Sequence, residues 1–355
     1  MSITSLMPAY LQNLQPYESP SENAPEGMIW LNTNEYPTAT KYELRFETLN
    51  RYPEVQPLAF RKRYAKYAGV NAEEVLMTRG ADEAIELLIR TFCATLSDAV
   101  LYALPTYSMY GISAQTCGVD IQTVAPARDL KLNIDGLCRA LRSEDRVKVV
   151  FLCNPNNPTG ELLSRTSILK VLQAARDTIV VVDEAYIEFC PQASCADLIA
   201  QYPNLVIVRT LSKAFALAGL RCGVILAQKE VIGALRKVLA PYPVPEPVGA
   251  IALKALSDGG VAAMRQRVQL VIQTRRLLQT ELQKLAGVRT VYPSETNFVL
   301  FSVDNPEAVY QTLWKKGVAI REPGSDKGVL RVSVGTIEEC QTFIEKLRQV
   351  LKEVK

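Results

Sequence analysis

The sequence predicts an α/β protein with a largely parallel sheet, followed by a smaller C-terminal unit. Short apolar runs alternate with amphipathic stretches, a pattern typical of strand-helix-strand crossovers. Polar clusters follow several of the apolar runs directly, and a proline-rich segment at residues 240–247 separates this alternation from a different pattern. A chain of 355 residues is long enough for about two domains of ~150 residues each.

The strands of the predicted sheet are apolar runs bounded by polar or turn residues. They span residues 99–102, 148–153, 179–183, 205–209 and 223–227. Helical periodicity at residues 82–93 and 164–175 is consistent with crossovers between parallel strands. In open α/β sheets ligands collect at the carboxyl ends of the strands, so the polar clusters there indicate a binding site.

The C-terminal part begins after the proline-rich segment, whose four prolines cannot continue a helix. A long amphipathic stretch at residues 261–285 is followed by short strands near Val291 and Leu330 and by a final helix from Ile337. We therefore predict an arm at residues 1–45, a large domain at 46–245 and a small domain at 246–355.

Composition excludes several classes of function. The net charge of +3, from 40 basic and 37 acidic residues, gives no field that would favour nucleic acid or a membrane surface. The chain has no histidine, so proton transfer must use lysine, tyrosine or carboxylates. The eight cysteines form no C-x-x-C pair, and we expect reduced core thiols and no metal site.

Location is predicted from what the sequence lacks. No segment approaches the roughly 18 uninterrupted apolar residues of a spanning helix. The first positively charged side chain is Lys41, so we expect neither a secretory signal nor a transit peptide. A cytoplasmic location is the prediction.

A lysine and a carboxylate after neighbouring strands indicate the chemistry. Lys213 follows an apolar strand, and Arg221 comes eight residues later. A lysine amine can form an imine with an aldehyde and, once released, can act as a base that moves a proton. Asp183, at another strand end, suits a carboxylate that keeps a pyridine nitrogen protonated. These residue types together indicate pyridoxal phosphate bound as an imine on Lys213.

Further polar residues suit the remaining parts of this cofactor. Asn157 and Tyr186 can supply an amide and a hydroxyl near the ring oxygen, and Tyr107 can stack on the ring face. The phosphate needs donors, which a helix start and hydroxyl and guanidinium side chains provide. The candidates for the phosphate are Gly80, Ala81, Asp82, Thr210, Ser212 and Arg221.

Each of these residues taken alone has an ordinary structural explanation, such as a turn, a helix cap or a solvated charge. Their conjunction in one order, each at a strand end, favours a single site. The chain resembles the fold-type I pyridoxal-phosphate aminotransferases in segments 80–83, 154–160, 183–186 and 212–221. The resemblance extends over nearly the whole chain. This resemblance implies a mostly parallel seven-stranded sheet, a small α/β C-terminal domain and an N-terminal arm.

A narrower resemblance rests on other segments. The chain resembles the histidinol-phosphate aminotransferases of histidine biosynthesis at residues 31–37, 51–53, 187–189 and 330–335. The resemblance implies transamination of L-histidinol phosphate with 2-oxoglutarate, which gives imidazole-acetol phosphate and L-glutamate. It also implies that Tyr52 reaches the cofactor phosphate of a partner subunit, and hence an obligate homodimer.

The same resemblance implies roles for the site residues. Lys213, Asp183 and Tyr186 form the catalytic set, and Arg331 binds the anionic end of the substrate. Arg321 and Tyr17 are expected to support the substrate phosphate, and Asn157 to contact both cofactor and substrate.

Three alternatives remain open. A threonine-phosphate decarboxylase of the same fold also needs an arginine-bound phosphate, and carbon dioxide release would identify it. An aromatic amino acid aminotransferase would use a substrate without the phosphate. A non-catalytic pyridoxal-binding module usually carries a separate DNA-binding domain, which we do not expect in this chain.

Overall fold

The computed structural model of the chain describes residues 3–12, 14, 26–47, 49–322 and 328–354. Its α-helices are α1 Ala9–Gln12, α2 Leu58–Ala68, α3 Gly80–Phe92, α4 Met109–Thr116, α5 Ile134–Ser143, α6 Arg165–Ala174, α7 Lys229–Val238, α8 Glu246–Ala255, α9 Asp258–Gln283, α10 Pro306–Lys315 and α11 Ile337–Glu353. Its strands are β1 Ile29–Trp30, β2 Val75–Thr78, β3 Ala99–Ala103, β4 Asp120–Val124, β5 Val147–Cys153, β6 Ile179–Asp183, β7 Leu205–Thr210, β8 Gly223–Ala227, β9 Val288–Val291, β10 Phe298–Val303, β11 Val318–Ala319 and β12 Val329–Ser333.

The largest sheet has seven strands in the order β2-β8-β7-β6-β5-β3-β4. Strand β8 is antiparallel to both of its neighbours, and the other neighbouring pairs are parallel. This confirms the predicted mostly parallel α/β sheet. The strands β2 and β4, at its two edges, were not predicted.

Both faces of this sheet are covered by helices. Because successive strand residues point to opposite sides, neighbouring residues of one strand are buried in different clusters. In β6, Val181 packs in a cluster with residues of α3, α4 and α7, whereas Val180 and Val182 pack in a cluster that includes residues of α2, α5 and α6. Two covered faces explain why the strands read as continuous apolar runs rather than as alternating ones.

The C-terminal part contains an antiparallel sheet of three strands, in the order β12-β10-β9. Helix α9 packs on β9 and β10, and α11 packs on α9 and α10. Helix α11 begins at Ile337, as predicted, because Thr336 and Glu339 form a capping box there. The long helix α9 begins earlier than predicted, since Ser257 caps it by accepting a hydrogen bond from the Gly260 amide.

The N-terminal segment is tied to the C-terminal part by strand β1, which pairs in parallel with β11. The proline-rich segment lies between α7 and α8, and Pro247 occupies the first turn of α8, where its missing N–H costs nothing. Among the helices in the described part of the chain, none is long and apolar enough to cross a membrane.

Candidate active site

A cavity of about 570 Å³ lies at the carboxyl ends of the parallel strands. The last residues of β5, β6 and β7 line it, and β12 supplies a side chain from the smaller sheet. This is the position at which open α/β sheets bind ligands. Twelve residues predicted from the sequence line this one cavity: Ala81, Asp82, Tyr107, Asn157, Asp183, Tyr186, Thr210, Ser212, Lys213, Arg221, Arg321 and Arg331.

Lys213 is half-buried in the cavity, and its Nζ donates a hydrogen bond to the carbonyl oxygen of Thr33 at 2.8 Å. Burial lowers the pKa of the Lys213 amine to about 8, and the nearby Arg331 guanidinium adds to the effect. Both causes disfavour the charged form. The amine is therefore accessible in its neutral form near neutral pH, as a nucleophile or a base requires.

Asp183 is the last residue of β6 and is buried. Its Oδ1 accepts from the Ala185 amide at 3.0 Å, and its Oδ2 accepts from the Tyr110 hydroxyl at 2.8 Å. Burial raises the pKa of Asp183 to about 6, while these two hydrogen bonds act in the opposite direction. The result is a carboxylate of fixed orientation that a cation in the cavity would stabilise.

The start of helix α3 meets the loop before β8. The Arg221 guanidinium donates to Asp82 at 3.0 Å, and the Tyr107 hydroxyl donates to the other Asp82 oxygen, also at 3.0 Å. Gly80 lies behind this group and has φ +84°, and a Cβ there would come within 2.8 Å of an Arg221 nitrogen. Glycine is favoured here because other residues rarely adopt this φ, and a Cβ would also push the tip of the arginine side chain aside.

Two hydroxyls face the same region. The Thr210 hydroxyl donates to the Ser212 hydroxyl at 2.8 Å and accepts from the Ser212 amide at 3.1 Å. Both residues line the cavity with Ala81 at the helix start. Hydroxyls, backbone amides and one guanidinium form a donor set that suits a phosphate.

Arg331 lies on β12 and is buried. Its guanidinium donates to the Asn157 side chain and to the Asn32 carbonyl, and it lies 5.2 Å from the centre of the Phe298 ring. Its Nε is buried and has no hydrogen-bond partner among the described residues. Burial lowers the pKa of Arg331 to about 10. Such a cation needs an anion to complete its environment.

Arg321 lies beside Arg331 because their backbones exchange two hydrogen bonds, of 2.9 and 2.8 Å. Both arginines line the cavity. Two adjacent guanidinium groups favour a ligand that carries more than one negative charge.

Among the described residues, two that the sequence predicts for the site do not line the cavity, Gly80 and Tyr52. Gly80 acts from behind Arg221, as described above. Tyr52 is 80% exposed and stacks on Tyr242, with ring centres 4.5 Å apart. Tyr17 lies outside the described residues.

Four residues of the site were not predicted, one of which is Asn32, whose carbonyl accepts from Arg331 as described above. Thr33 provides the carbonyl partner of Lys213, Tyr110 holds Asp183, and the Asn34 amide donates to the Tyr186 hydroxyl at 3.0 Å. Tyr110 follows Tyr107 at helical spacing, which would have indicated a shared face. Asn32, Thr33 and Asn34 lie in the segment 31–37, whose resemblance to known enzymes was the available signal.

Comparison with known proteins agrees with this site. The family model described as aminotransferase class I and II matches residues 26–347. The histidinol-phosphate aminotransferase of Escherichia coli is 50% identical over 352 residues, 98% of each chain. The chain therefore belongs to the class I and II aminotransferases and, within them, to the histidinol-phosphate aminotransferases. The family predicted from the sequence is confirmed.

Solved structures share the fold. The histidinol-phosphate aminotransferase from Sinorhizobium meliloti, in complex with pyridoxal-5'-phosphate, has a TM-score of 0.88 at 22% identity and is covered over the full length of both chains. The L-threonine-O-3-phosphate decarboxylase from Porphyromonas gingivalis has a TM-score of 0.73 at 24% identity, over 86% of this chain and 91% of that one. The fold alone thus does not choose between transamination and decarboxylation.

Proposed function

We propose that the protein catalyses the reversible pyridoxal-phosphate-dependent transamination of L-histidinol phosphate with 2-oxoglutarate, a step of L-histidine biosynthesis. The observation that carries the proposal is a half-buried lysine amine, Lys213, in one cavity with the Asp183 carboxylate and the arginine pair of Arg321 and Arg331. The identity of 50% to a histidinol-phosphate aminotransferase supports the choice of substrate.

The residues of the cavity fit pyridoxal phosphate. The glycine at position 80 leaves Arg221 in place beside Thr210 and Ser212, so these donors would hold the phosphate. The Ala81 and Asp82 amides at the start of α3 would complete the cradle. When bound, pyridoxal phosphate supplies an aldehyde that condenses with the Lys213 amine or a substrate amine, and a ring that takes up electrons as the substrate loses a proton.

Lys213 would move the proton. Its pKa of about 8 leaves roughly a tenth of the amine neutral at pH 7, far more than an ordinary lysine. The amine is held by the Thr33 carbonyl, which accepts its hydrogen bond and orients the lone pair. A base whose pKa lies near the working pH gives efficient proton transfer.

Asp183 would face the nitrogen of the cofactor ring. A protonated ring nitrogen beside it would lower the pKa of Asp183 from about 6 and keep the carboxylate ionised. Tyr110 holds this carboxylate and is itself stacked on Phe151, with ring centres 4.5 Å apart and nearly parallel planes. Tyr107 would lie against the ring face, since the Asp82 carboxylate fixes its hydroxyl.

Asn157 and Tyr186 would meet the ring oxygen, and Arg331 with Arg321 would bind the anionic end of the substrate. The phosphate of histidinol phosphate would occupy this end in one half-reaction, and a carboxylate of glutamate in the other. Because Arg331 also bonds to Asn157, the anion site and the ring-oxygen site are linked. Tyr17 is proposed as a further phosphate contact.

We propose that the protein is a homodimer in which Tyr52 reaches the partner's cofactor phosphate. Large apolar side chains that are exposed close to Tyr52 in the sequence support this, since exposed apolar surface marks interaction sites. They are Leu49, Val55 and Leu58, and Tyr242, on which Tyr52 stacks, is exposed as well. Association through these side chains would cover them and bring the tyrosine of one subunit to the other.

We also propose the division into an arm at residues 1–45, a large domain at 46–245 and a small domain at 246–355. The seven-stranded sheet uses only residues 75–227 and the three-stranded sheet only residues 288–333, which supports the two domains. The pairing of β1 with β11 supports an arm joined to the small domain. The cytoplasmic location stays a prediction.

The test follows the visible absorbance of the purified protein after loading with pyridoxal phosphate. We expect L-histidinol phosphate and L-glutamate each to bleach the band, and the respective oxo compounds, imidazole-acetol phosphate and 2-oxoglutarate, to restore it. Lys213→Ala should lack the normal band and lose activity by at least roughly 10⁴-fold. The control Lys66→Ala changes an exposed lysine on α2 and should behave as wild type.

Other outcomes would replace the proposal. Release of carbon dioxide from L-threonine-O-3-phosphate would identify the decarboxylase. Bleaching by aromatic amino acids but not by L-histidinol phosphate would identify an aromatic aminotransferase. A protein that takes up the cofactor but reacts with none of these amines would be a non-catalytic module.

A further inference from the structure

We propose that Asn34 is a positioning residue for Tyr186: its amide donates to the phenol oxygen, so that the phenol proton points into the cavity toward the ring oxygen of the bound cofactor. The inference rests on the proposed function, because it assigns Asn34 a task within that site. Asn34 is buried and lines the cavity together with Tyr186.

The orientation of the Asn34 amide is set by Ser333. The backbone N–H of Asn34 donates to the Ser333 hydroxyl oxygen at 2.9 Å, and that hydroxyl donates its own proton to Asn34 Oδ1 at 3.1 Å. With Oδ1 occupied in this way, the amide nitrogen Nδ2 faces Tyr186 at 3.0 Å. The contact therefore has a defined direction, with Asn34 as donor and Tyr186 as acceptor.

The consequence concerns the proton of Tyr186. A phenol has one O–H to donate, and Asn34 Nδ2 is a donor that cannot accept it. Within the described part of the chain, the hydroxyl of Tyr186 makes no further hydrogen bond. Because Tyr186 is buried, an undirected O–H there is costly. An oxygen of a ligand in the cavity would accept this proton, and the proposed function places the ring oxygen of the cofactor beside Tyr186.

Electrostatics agree with this direction. Burial raises the pKa of Tyr186, so the phenol is protonated and available as a donor. The Arg331 guanidinium and the Asn34 hydrogen bond act in the opposite direction and polarise the O–H. A polarised donor stabilises a negatively charged acceptor more strongly.

The backbone makes the position hard to replace. Asn34 has φ +56°, in the left-handed region that asparagine tolerates better than most residues with a side chain. Its carbonyl accepts from the Asn297 side chain at 2.8 Å. Ser333 lies two residues from Arg331 on β12, so the strand that binds the substrate anion also fixes the group that orients Tyr186.

The test measures the pH midpoint at which the visible band of the cofactor-loaded protein changes. A donor to the ring oxygen favours its ionised form, so Tyr186→Phe should raise the midpoint by about one pH unit. Asn34→Gly keeps the left-handed backbone without adding charge. We expect it to raise the midpoint by about half a unit in the presence of Tyr186, and to have no effect in the Tyr186→Phe background.

Ser333→Ala is a second variant, which keeps the Asn34 side chain and removes the hydroxyl that orients its amide and accepts its backbone N–H. It should also raise the pH midpoint of the visible band, again only when Tyr186 is present. Equal shifts in both backgrounds, or no shift from either variant, would overturn the inference. If wild-type protein showed no visible band with the cofactor, the proposed function would fail first and the inference with it.

Discussion

The two ends of the cavity are built in different ways. At the proposed cofactor end, Asp183, Thr210, Ser212, Lys213 and Arg221 come from a stretch of chain that includes two adjacent strands, β6 and β7. Asp82 and Tyr107 join them from an earlier stretch. The substrate end, formed by Asn32, Asn34, Asn157, Arg321 and Arg331, joins segments up to 299 residues apart in the sequence. The proposed cofactor end therefore lies within the part of the chain that forms the seven-stranded sheet, whereas the proposed substrate end brings the N-terminal segment together with the small sheet.

The two ends also differ in charge. At the cofactor end, Arg221 is paired with Asp82, and Asp183 has two hydrogen-bond donors. At the substrate end, Arg331 is buried beside Arg321, and no carboxylate is paired with either one in the described part of the chain. Substrate binding should therefore be easier to damage by substitution than cofactor binding, and the two can be tested separately.

The largest effect is expected at the substrate end. Arg331→Lys removes the planar fork that reaches both Asn157 and Asn32, and a single ammonium group cannot replace it. We expect kcat/KM for L-histidinol phosphate to fall by roughly 10²- to 10³-fold, as for loss of one or two charged hydrogen bonds. Steady-state kinetics with each substrate would measure it, and the visible band of the bound cofactor should persist.

Arg321→Lys is the matched control, since Arg321 is half-buried and lies next to Arg331. The fall in kcat/KM for L-histidinol phosphate should be smaller in Arg321→Lys than in Arg331→Lys, on the order of 10-fold. If Arg331→Lys removed the cofactor band as well, the two ends would not be separable and the comparison between them would be wrong.

A second prediction concerns the partner subunit. Tyr52→Ala should weaken cofactor binding by roughly 10- to 100-fold, as for loss of one hydrogen bond to a charged group. Mixing Tyr52→Ala with Lys213→Ala subunits should restore about a quarter of wild-type activity at limiting cofactor, since half of the randomly assorted dimers are mixed and each has one intact site.

Each variant assayed alone under those conditions is the control for the mixture. Light scattering of the wild-type protein should give the mass of two chains. A mixture no more active than the sum of its parts would show that Tyr52 acts within its own subunit or not at all.

A third prediction tests the support of Asp183. Tyr110→Phe removes a donor to the buried carboxylate and keeps the ring that stacks on Phe151. The donor favours the charged form, so its loss should raise the pKa of Asp183 above about 6 and weaken its pairing with the ring nitrogen. We expect kcat to fall about 10-fold, with the acid limb of its pH profile moved to higher pH.

The control is Tyr102→Phe, since Tyr102 also packs near Tyr110, with ring centres 6.0 Å apart, and has no hydrogen bond to Asp183. It should leave the pH profile in place. A change in KM alone, with an unmoved acid limb, would contradict a role for Tyr110 through Asp183.

The sequence predicts the parts of the fold that leave a local pattern, and it fails where the structure depends on distant contacts. The central strands and the residues that follow them were predictable, because a buried parallel strand leaves a continuous apolar run and its polar neighbours fall at its end. The edge strand β4 was not, since residues 120–124 are partly exposed and lack that pattern. The start of α9 was misplaced because the capping Ser257 precedes two glycines, which weaken the helical signal.

At the site, Lys213 and Asp183 were predictable from local pattern together with resemblance. The contacts of Asn34 were not, since nothing in the local sequence shows that its amide meets Ser333 and Tyr186. These contacts depend on the tertiary fold, which places the N-terminal segment that contains Asn34 beside strand β12 of the three-stranded sheet. Long-range hydrogen bonds of this kind leave no periodicity in the sequence.

The smallest expected effect is on the stability of the protein without cofactor. The pKa of Lys213 falls from 10.5 to about 8 on folding, so between these pH values the unfolded chain binds more protons than the folded one. Stability must therefore rise with pH through this window, and below pH 8 the charged amine destabilises the fold in full. Lys213→Met removes the charge and should raise Tm at pH 7 by roughly 1–3 °C.

The gain should shrink as the pH is raised from 8 toward 10, because the wild-type amine then loses its proton. Scanning calorimetry of the cofactor-free protein across this range would measure it, with Lys66→Met on the exposed face of α2 as control. A gain independent of pH would mean that better packing by methionine, and not the removed charge, is the cause. Stabilisation by loss of Lys213 would show that the proposed cofactor end sacrifices stability to keep a reactive amine in place.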